Sequence, residues 1–403
     1  MKVAYFAPEF YPPWGGVGTY SMNLAREIGS YKDIEFHVFT PKRGKDWSEE
    51  KVLKLFDNKI KLHVISEAND QFFYNFKFQY ALWKKFKEYN QKYNYDLVHA
   101  ANLVHMPDIW LRIANDKTPA VATAQTTIMG QVKGFLQSNR NFFKMSQSEK
   151  MSLLGLPVIR FLEIQYLAKS KHIISASGKF VEELREQGYK NDVDVIHNGI
   201  DVSLFDRSKI QAPEKKFPWL KDINDPIVLY AGRIITQKGI EVLIRSMVKV
   251  LEKNKNVHFV FAGPGDIPGF YKLMEQYNIP KNKWTYAGTI PNNELPVLHK
   301  AADIFVLPSF YENFSLSLLE AMAMKTASIA TDVGATSELV DNKNAILIKA
   351  GDSDVLAEKI LFLLENPAKR RKIAELGRKT VFSNFSSKAM TKKTVAVYKK
   401  ILK

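Results

Sequence analysis

Ile304-Phe305-Val306-Leu307-Pro308, followed by Ser309-Phe310-Tyr311-Glu312-Asn313-Phe314-Ser315 and then Leu316 to Met324, is the stretch that decides how this chain folds. The apolar run Ile304 to Leu307, closed by proline, has the composition of a parallel strand buried on both faces. Leu316, Leu318, Leu319, Ala321, Met322 and Ala323 are helix-favouring residues at helical spacing. A short polar loop joins the two, so the stretch predicts a strand, a loop and a helix N-terminus. Ligands of open α/β sheets sit at that kind of junction, where helix amides favour phosphate or carboxylate oxygens. Glu312 in the loop and Glu320 in the helix frame it. Ser317 and Glu320 also have capping-box spacing, so Glu320 reads as a cap or as a ligand contact.

Working outward, the same grammar recurs. Pro226 to Tyr230 reads as a strand leading through Ala231-Gly232-Arg233 to Lys238-Gly239 and a helix running to about Glu252. Arg233 and Lys238 place two cations at one strand-to-helix turn, which reads either as a pair of surface cations or as the charge a departing diphosphate needs. His258 to Ala262 is a strand leaving through Gly263-Pro264-Gly265, and Trp284 to Ala287 is another leaving through Gly288-Thr289-Ile290. Near the N-terminus, Val3 to Ala7 reads as a strand rather than a signal peptide, and its exit loop reaches Gly15-Gly16-Val17-Gly18 before a helix from Thr19 to Ile28. Glycines there let backbone amides approach a phosphate without a Cβ in the way. Further strands are expected at Ile34 to Thr40, Lys61 to Ser66, Asp96 to Ala100, Val121 to Thr123 and His172 to Ala176. Asp192-Val193-Asp194 has the form of a metal motif, but it precedes the strand Val195-Ile196 and reads as an exposed strand start.

Pro308-Ser309, the seven residues between Glu312 and Glu320, Ala321-Met322-Ala323 and Thr331-Asp332-Val333-Gly334 resemble the signature of retaining nucleotide-sugar glycosyltransferases of family 4. The resemblance implies two Rossmann-like, doubly wound α/β domains facing across a cleft (GT-B), with a C-terminal helix crossing back to the first. It implies an acceptor-side domain at 1–201, a linker at 202–224, a donor domain at 225–385 and the returning helix at 386–403. The implied reaction moves a hexosyl group from a nucleoside-diphosphate sugar, UDP- or GDP-linked, to a hydroxyl of a glycan, glycolipid or lipid-linked acceptor. Arg233, Lys238 and Glu312 would be catalytic. Gly15, Gly16, Gly232, Gly263, Thr289, Ile290, Asn313, Phe314, Ser315, Leu316 and Glu320 would bind the donor, with no metal or other cofactor required. His99, His105 and Gln125 fall on the acceptor side, and Gly130 to Ala168 would flank the acceptor. Relatives often have His where this chain has Ala101 and Gln125, and Gly where it has Asn313 and Ser315. Lys325 stands where a helix-ending glycine is usual. A nucleotide-sugar epimerase on the same fold and a catalytically silent binding protein are the alternative functions.

Composition agrees with two ordinary domains. The chain has 403 residues, 46% of them hydrophobic and 25% charged, which describes a soluble globular protein rather than a membrane span. It has no cysteine, which excludes disulfides and thiolate zinc sites and fits a cytoplasmic setting. The net charge is +16, and from Lys369 to Lys403 twelve Lys or Arg face a single Glu. Such a basic stretch reads first as a solvated helix face; no nucleic-acid-binding module is present, so among specific partners an anionic membrane, on the inner face, is preferred to nucleic acid. Phe72 to Tyr95, dense in Phe, Tyr, Trp83 and Lys, reads first as packed core with solvated lysines and second as a membrane-facing surface.

Overall fold

The computed structural model describes residues 1–13, 15–45, 47–70, 73–130, 132 and 155–403. Trp14 and residues 133–154, which include Phe142, Phe143 and Lys144, lie outside the described residues, and with them most of the expected acceptor-flanking segment. The chain divides into two units. Of the described residues, one takes those within 1–132, 155–199 and 387–403; the other takes Ile200–Ser386.

The first unit is built on a seven-stranded sheet of order β3-β2-β1-β4-β5-β6-β7, with β1 Lys2–Phe6, β2 Glu35–Lys42, β3 Lys61–Glu67, β4 Leu97–Ala100, β5 Ala120–Ala124, β6 His172–Ser175 and β7 Val193–Val195. All its pairs are parallel. Helices cover both faces, so β1 and β4 are buried nearly throughout, as continuous apolar strands require. The terminal helix Ser387–Ile401 belongs to this unit. It buries Ser387, Met390, Thr391, Thr394, Val395 and Tyr398, one stripe at helical spacing, and packs on the helix Gly16–Ile28. Ser387 Oγ donates to Glu27 Oε1 at 2.7 Å. Asp194 lies inside the edge strand β7 rather than before a strand, and Lys400 of the terminal helix is 3.2 Å from it.

The second unit is a six-stranded parallel sheet of order β10-β9-β8-β11-β12-β13, with β8 Ile227–Ala231, β9 His258–Ala262, β10 Trp284–Tyr286, β11 Ile304–Leu307, β12 Ala327–Thr331 and β13 Ile346–Ile348. Both sheets have doubly wound order, which reverses between β1 and β4 in one and between β8 and β11 in the other. Residues 202–224 are not a bare connection. They form short helices on the second unit, where Arg207 donates to the carbonyls of Met324 (2.7 Å) and Lys300 (2.8 Å). An unexpected helix, Pro367–Asn384, packs on the helix Leu316–Ala323 through Ala374, Gly377 and Val381.

Candidate active site

The carboxyl ends of β8 and β11 meet where the second sheet reverses its order. From β8 the chain passes Gly232 and Arg233 to a single 3-10 turn, Thr236–Lys238, and then Gly239 starts the next helix at φ +68°. A Cβ on Gly239 would lie 1.9 Å from the carbonyl oxygen of Pro308, at the end of β11, so only glycine lets the two loops touch. The amide of Phe310 completes the contact by donating to the Gln237 carbonyl at 2.9 Å.

That approach brings the expected catalytic side chains together. Lys238 Nζ donates to Glu312 Oε1 at 2.5 Å, and Ser309 Oγ donates to the same oxygen at 2.8 Å. Both partners of the ion pair are mostly shielded from water. Arg233 presents an exposed side chain at the same turn, with its carbonyl held by Tyr230 Oη at 2.6 Å. Two cations and one carboxylate therefore occupy the rim of the sheet, a combination suited to a polyanion that also carries hydroxyls.

The loop after Glu312 is clasped from the other side. Gly334, at φ +52°, sits so near that a Cβ would come within 1.5 Å of the Glu312 carbonyl oxygen. The Ala335 amide donates to the Asn313 carbonyl at 3.1 Å. Asn313, Phe314, Ser315 and Leu316 are all buried. The helix Leu316–Ala323 is capped by Ser315, whose Oγ accepts from the Leu318 amide at 3.3 Å, so the cap is Ser315 and the expected Ser317–Glu320 box does not form. Glu320 is left as a buried carboxyl on this helix, and desolvation pushes its pKa up to about 8. Lys325 ends the helix at φ +55°, the left-handed geometry expected of glycine, with an exposed side chain.

The loops leaving β8, β9 and β10 are tied side by side. Gly232 donates its amide to the Ala262 carbonyl at 2.9 Å, and Gly263 donates to the Gly288 carbonyl at 2.8 Å. Tyr286 Oη donates to the Gly263 carbonyl, leaving Thr289 exposed and Ile290 half-buried beside them.

In the first unit, the helix begins at Gly16, three residues earlier than the sequence suggests. Its cap residue Gly15 has open space around it and the first turn holds no acidic side chain. The acceptor-side expectations fare differently. His99 is fully buried: Nδ1 is 2.6 Å from Tyr398 Oη and Nε2 is 2.7 Å from Thr123 Oγ1. Burial pushes its pKa down to about 3, so it is a neutral core residue rather than an acceptor contact. Gln125 is likewise engaged, exchanging two hydrogen bonds with Asn198 at 2.9 and 2.8 Å. His105 does reach a polar cluster, formed with residues the sequence reading missed. Its Nε2 lies 3.5 Å from Glu9 and 3.4 Å from Tyr74 Oη; Tyr74 donates to Glu9 at 3.2 Å, and the Arg43 guanidinium lies 4.9 Å from the centre of the Tyr74 ring. Burial lowers the His105 pKa against the opposing pull of Glu9. Asn75 Oδ1, Gln79 Oε1, Asn102 Nδ2 and His105 Nδ1 are buried polar atoms without a hydrogen bond to the described residues. Glu9, Arg43 and His105 follow β1, β2 and β4 in turn, and the first of those exit loops offered the only local signal, a charged residue after Pro8.

Known proteins give the same picture from outside. Residues 14–204 match the family model described as Glycosyltransferase Family 4, and residues 211–380 match the one described as Glycosyl transferases group 1. An uncharacterised glycosyltransferase of Methanocaldococcus jannaschii is 32% identical over 246 residues, which is 59% of this chain and 62% of that protein, less than two thirds of its length. Sucrose-phosphate synthase from Thermosynechococcus elongatus superposes with a TM-score of 0.79 over 100% of this chain and 99% of its own, at 21% identity. The Anabaena protein HepE, solved in complex with UDP-glucose, gives a TM-score of 0.74 over 99% and 100% at 19% identity. Likeness at such low identity speaks for the fold, which is GT-B. The two family models between them take in both units, including the Lys238–Glu312 junction, and the chain therefore belongs to the family 4 glycosyltransferases.

Proposed function

We propose that this chain is a retaining hexosyltransferase using a nucleoside-diphosphate sugar, UDP- or GDP-linked, and delivering the sugar to a hydroxyl of a glycan, glycolipid or lipid-linked acceptor. The observation that carries the reading is the Lys238–Glu312–Ser309 contact beside Arg233 at the reversal point of the second sheet. Arg233 grips phosphate oxygens through its planar fork while Lys238 acts as a point charge, and together they stabilise charge that builds as the glycosidic bond breaks. Amides at the start of the helix Leu316–Ala323 add to this, and in the first unit Gly15 and Gly16 offer an uncapped helix start. Glu312 takes donor-sugar hydroxyls and fixes Lys238; Glu320 takes the ribose diol; Gly232, Gly263, Thr289 and Ile290 border the base. The HepE complex with UDP-glucose favours a UDP-sugar as the first donor to try. Retention proceeds by front-face attack, with the leaving phosphate accepting the acceptor's proton. On the acceptor side, the Glu9–Tyr74–His105 cluster replaces His99 and Gln125 as the hydroxyl-recognising group.

Purified protein tested against UDP-, GDP- and ADP-sugars should be thermally stabilised by one class and should turn it over with the anomeric configuration kept. Arg233→Ala and Lys238→Met should each lower kcat by roughly a hundredfold or more. EDTA should leave turnover unchanged. Turnover that survives loss of both cations, or that a chelator abolishes, refutes the reading.

A further inference from the structure

Among the described residues, nine of the sixteen large hydrophobic side chains exposed to solvent lie on three neighbouring helices of the first unit and the residue that leads into them. The helix Tyr74–Tyr93 turns Tyr74, Phe78, Leu82 and Phe86 inward. Its outer stripe is also aromatic: Phe73 is 62% exposed, and Phe76, Tyr80 and Trp83 follow it at the three- and four-residue steps of one helix face. Packed core was expected for this segment, and the structure overturns that for these four rings. The short helix Ile109–Ile113 packs on it and exposes Trp110 and Ile113. The helix Leu156–Lys169 packs on that one in turn and exposes Val158, Phe161 and Ile164, the first two at 63% and 61%. A concentration of this kind on a single layer is unlike the scattered singles of an ordinary surface.

Its uncompensated charge is basic. Lys77 pairs with Asp70 at 2.8 Å, and Arg112 and Arg160 of the other two helices pair with Asp108 and Glu163. On the long helix Lys84 and Lys87 share the aromatic stripe, and Lys84 Nζ sits 4.6 Å from the centre of the Tyr80 ring. Glu88 is the only carboxylate in that helix. The basic C-terminal stretch, the other candidate for an anionic partner, spends part of its charge internally. Lys400 pairs with Asp194, Lys399 with Asp33 and Arg370 with Asp303, while Arg378 donates to the Phe205 carbonyl at 2.7 Å. No described helix is long and apolar enough to cross a bilayer.

We propose that this three-helix layer lies in the interface of an anionic bilayer, with Phe73, Phe76, Tyr80 and Trp83 entering the headgroup boundary and the lysines meeting lipid phosphates. Aromatic rings and lysines on one helix face are the chemistry of an interfacial helix, and a second protein would not require the cations. The layer lies in one unit, so the proposal stands apart from the donor reading and is measured by binding alone.

The test is flotation of the full chain with phosphatidylcholine vesicles, with and without phosphatidylglycerol. Wild type should float with the anionic vesicles and lose binding as salt rises. Phe76→Ser with Trp83→Ser should weaken partitioning by roughly tenfold for each ring removed, and Lys84→Glu with Lys87→Glu by about fivefold for each charge. Tyr271→Ser with Phe362→Ser, exposed apolar residues of the second unit, should change nothing. Melting temperatures check that the variants fold. Equal binding to neutral and anionic vesicles, or unchanged binding in the ring variant, overturns the proposal. So does a wild-type dimer in sedimentation that the ring variant turns to monomer while neither binds vesicles, since the face would then join two copies of the chain.

Discussion

Replacing Glu320 by glutamine removes one ionisation from a buried position while keeping its size and hydrogen-bonding atoms. The residue is 8% exposed, and burial raises its folded-state pKa from the ordinary 4.5 to about 8. Folding therefore takes up a proton anywhere between those two values. The folded state binds more protons than the unfolded one, so stability falls as pH rises through the window, and the penalty is complete above the folded pKa. The limiting slope is about 1.4 kcal/mol per pH unit, and between pH 6 and 8 this one group removes roughly 2 kcal/mol. Glutamine has no such slope. Urea unfolding at pH 6, 7 and 8 should show wild type losing about that much relative to Glu320→Gln, with the variant the more stable protein at pH 8. Nucleoside diphosphate binding supplies a second reading. If a ribose diol donates to the ionised carboxylate, wild-type affinity rises with pH up to about 8 and the variant's does not. Parallel stability curves for the two proteins would refute the reasoning, because they would show that the carboxyl is not desolvated as its burial implies.

Two further substitutions test the loops around it. Lys325→Gly should stabilise the second unit by about 1 kcal/mol, raising its melting temperature by roughly 2–4 °C, because a side chain at φ +55° carries a left-handed strain that glycine lacks; an unchanged melting curve would count against it. Gly334→Ala should do the reverse. It adds a similar strain, and its Cβ would lie 1.5 Å from the Glu312 carbonyl, so unfolding should cost more than about 2 kcal/mol less and kcat should fall as the loop moves.

The parts of this molecule legible in its sequence are those set by short-range patterns. Ile304 to Leu307 proved a strand to the residue, because a four-residue apolar run closed by proline leaves few choices. Lys238 and Glu312 were each expected at the site from the family pattern, but their ion pair, between residues 74 apart, was not. What failed depended on distant partners or on backbone path. His99 is buried and hydrogen-bonded to Tyr398, 299 residues away, and nothing local to His99 announces it. Ser315 rather than Ser317 caps its helix because the chain is extended at Ser315, a choice between two serines that spacing leaves open. The helix Pro367–Asn384 is hard to see because Lys and Arg crowd its first turns, while its buried face rests on small residues, Ala374 and Gly377, with one Val381. Residues 202–224 read as a linker from their prolines and charges, and it takes distant partners, the carbonyls that Arg207 meets and Glu294 paired with Lys216, to reveal that they are packed.

A common physical cause ties these outcomes to the site. The second unit fixes the path of the Glu312 loop with backbone contacts, beside the ion pair that Glu312 makes with Lys238: Gly239 under the Pro308 carbonyl, Gly334 against the Glu312 carbonyl, and the Phe310 and Ala335 amides on facing loops. Each contact needs a residue without Cβ or a main-chain donor, so side-chain changes elsewhere in the loop leave the path intact. That explains how the side chains of Asn313 and Ser315 are accommodated in the loop. Both are buried, both keep the loop's direction, and Ser315 supplies the helix cap as well. If Asn313 and Ser315 face the donor sugar, as proposed, substitutions at these two positions change the volume and hydrogen bonding offered to it without moving Lys238 or Glu312. Asn313→Gly should accordingly leave affinity for the free nucleoside diphosphate unchanged and alter the ranking among its sugars, whereas loss of nucleotide binding in that variant would mean that the loop's path depends on the side chain after all.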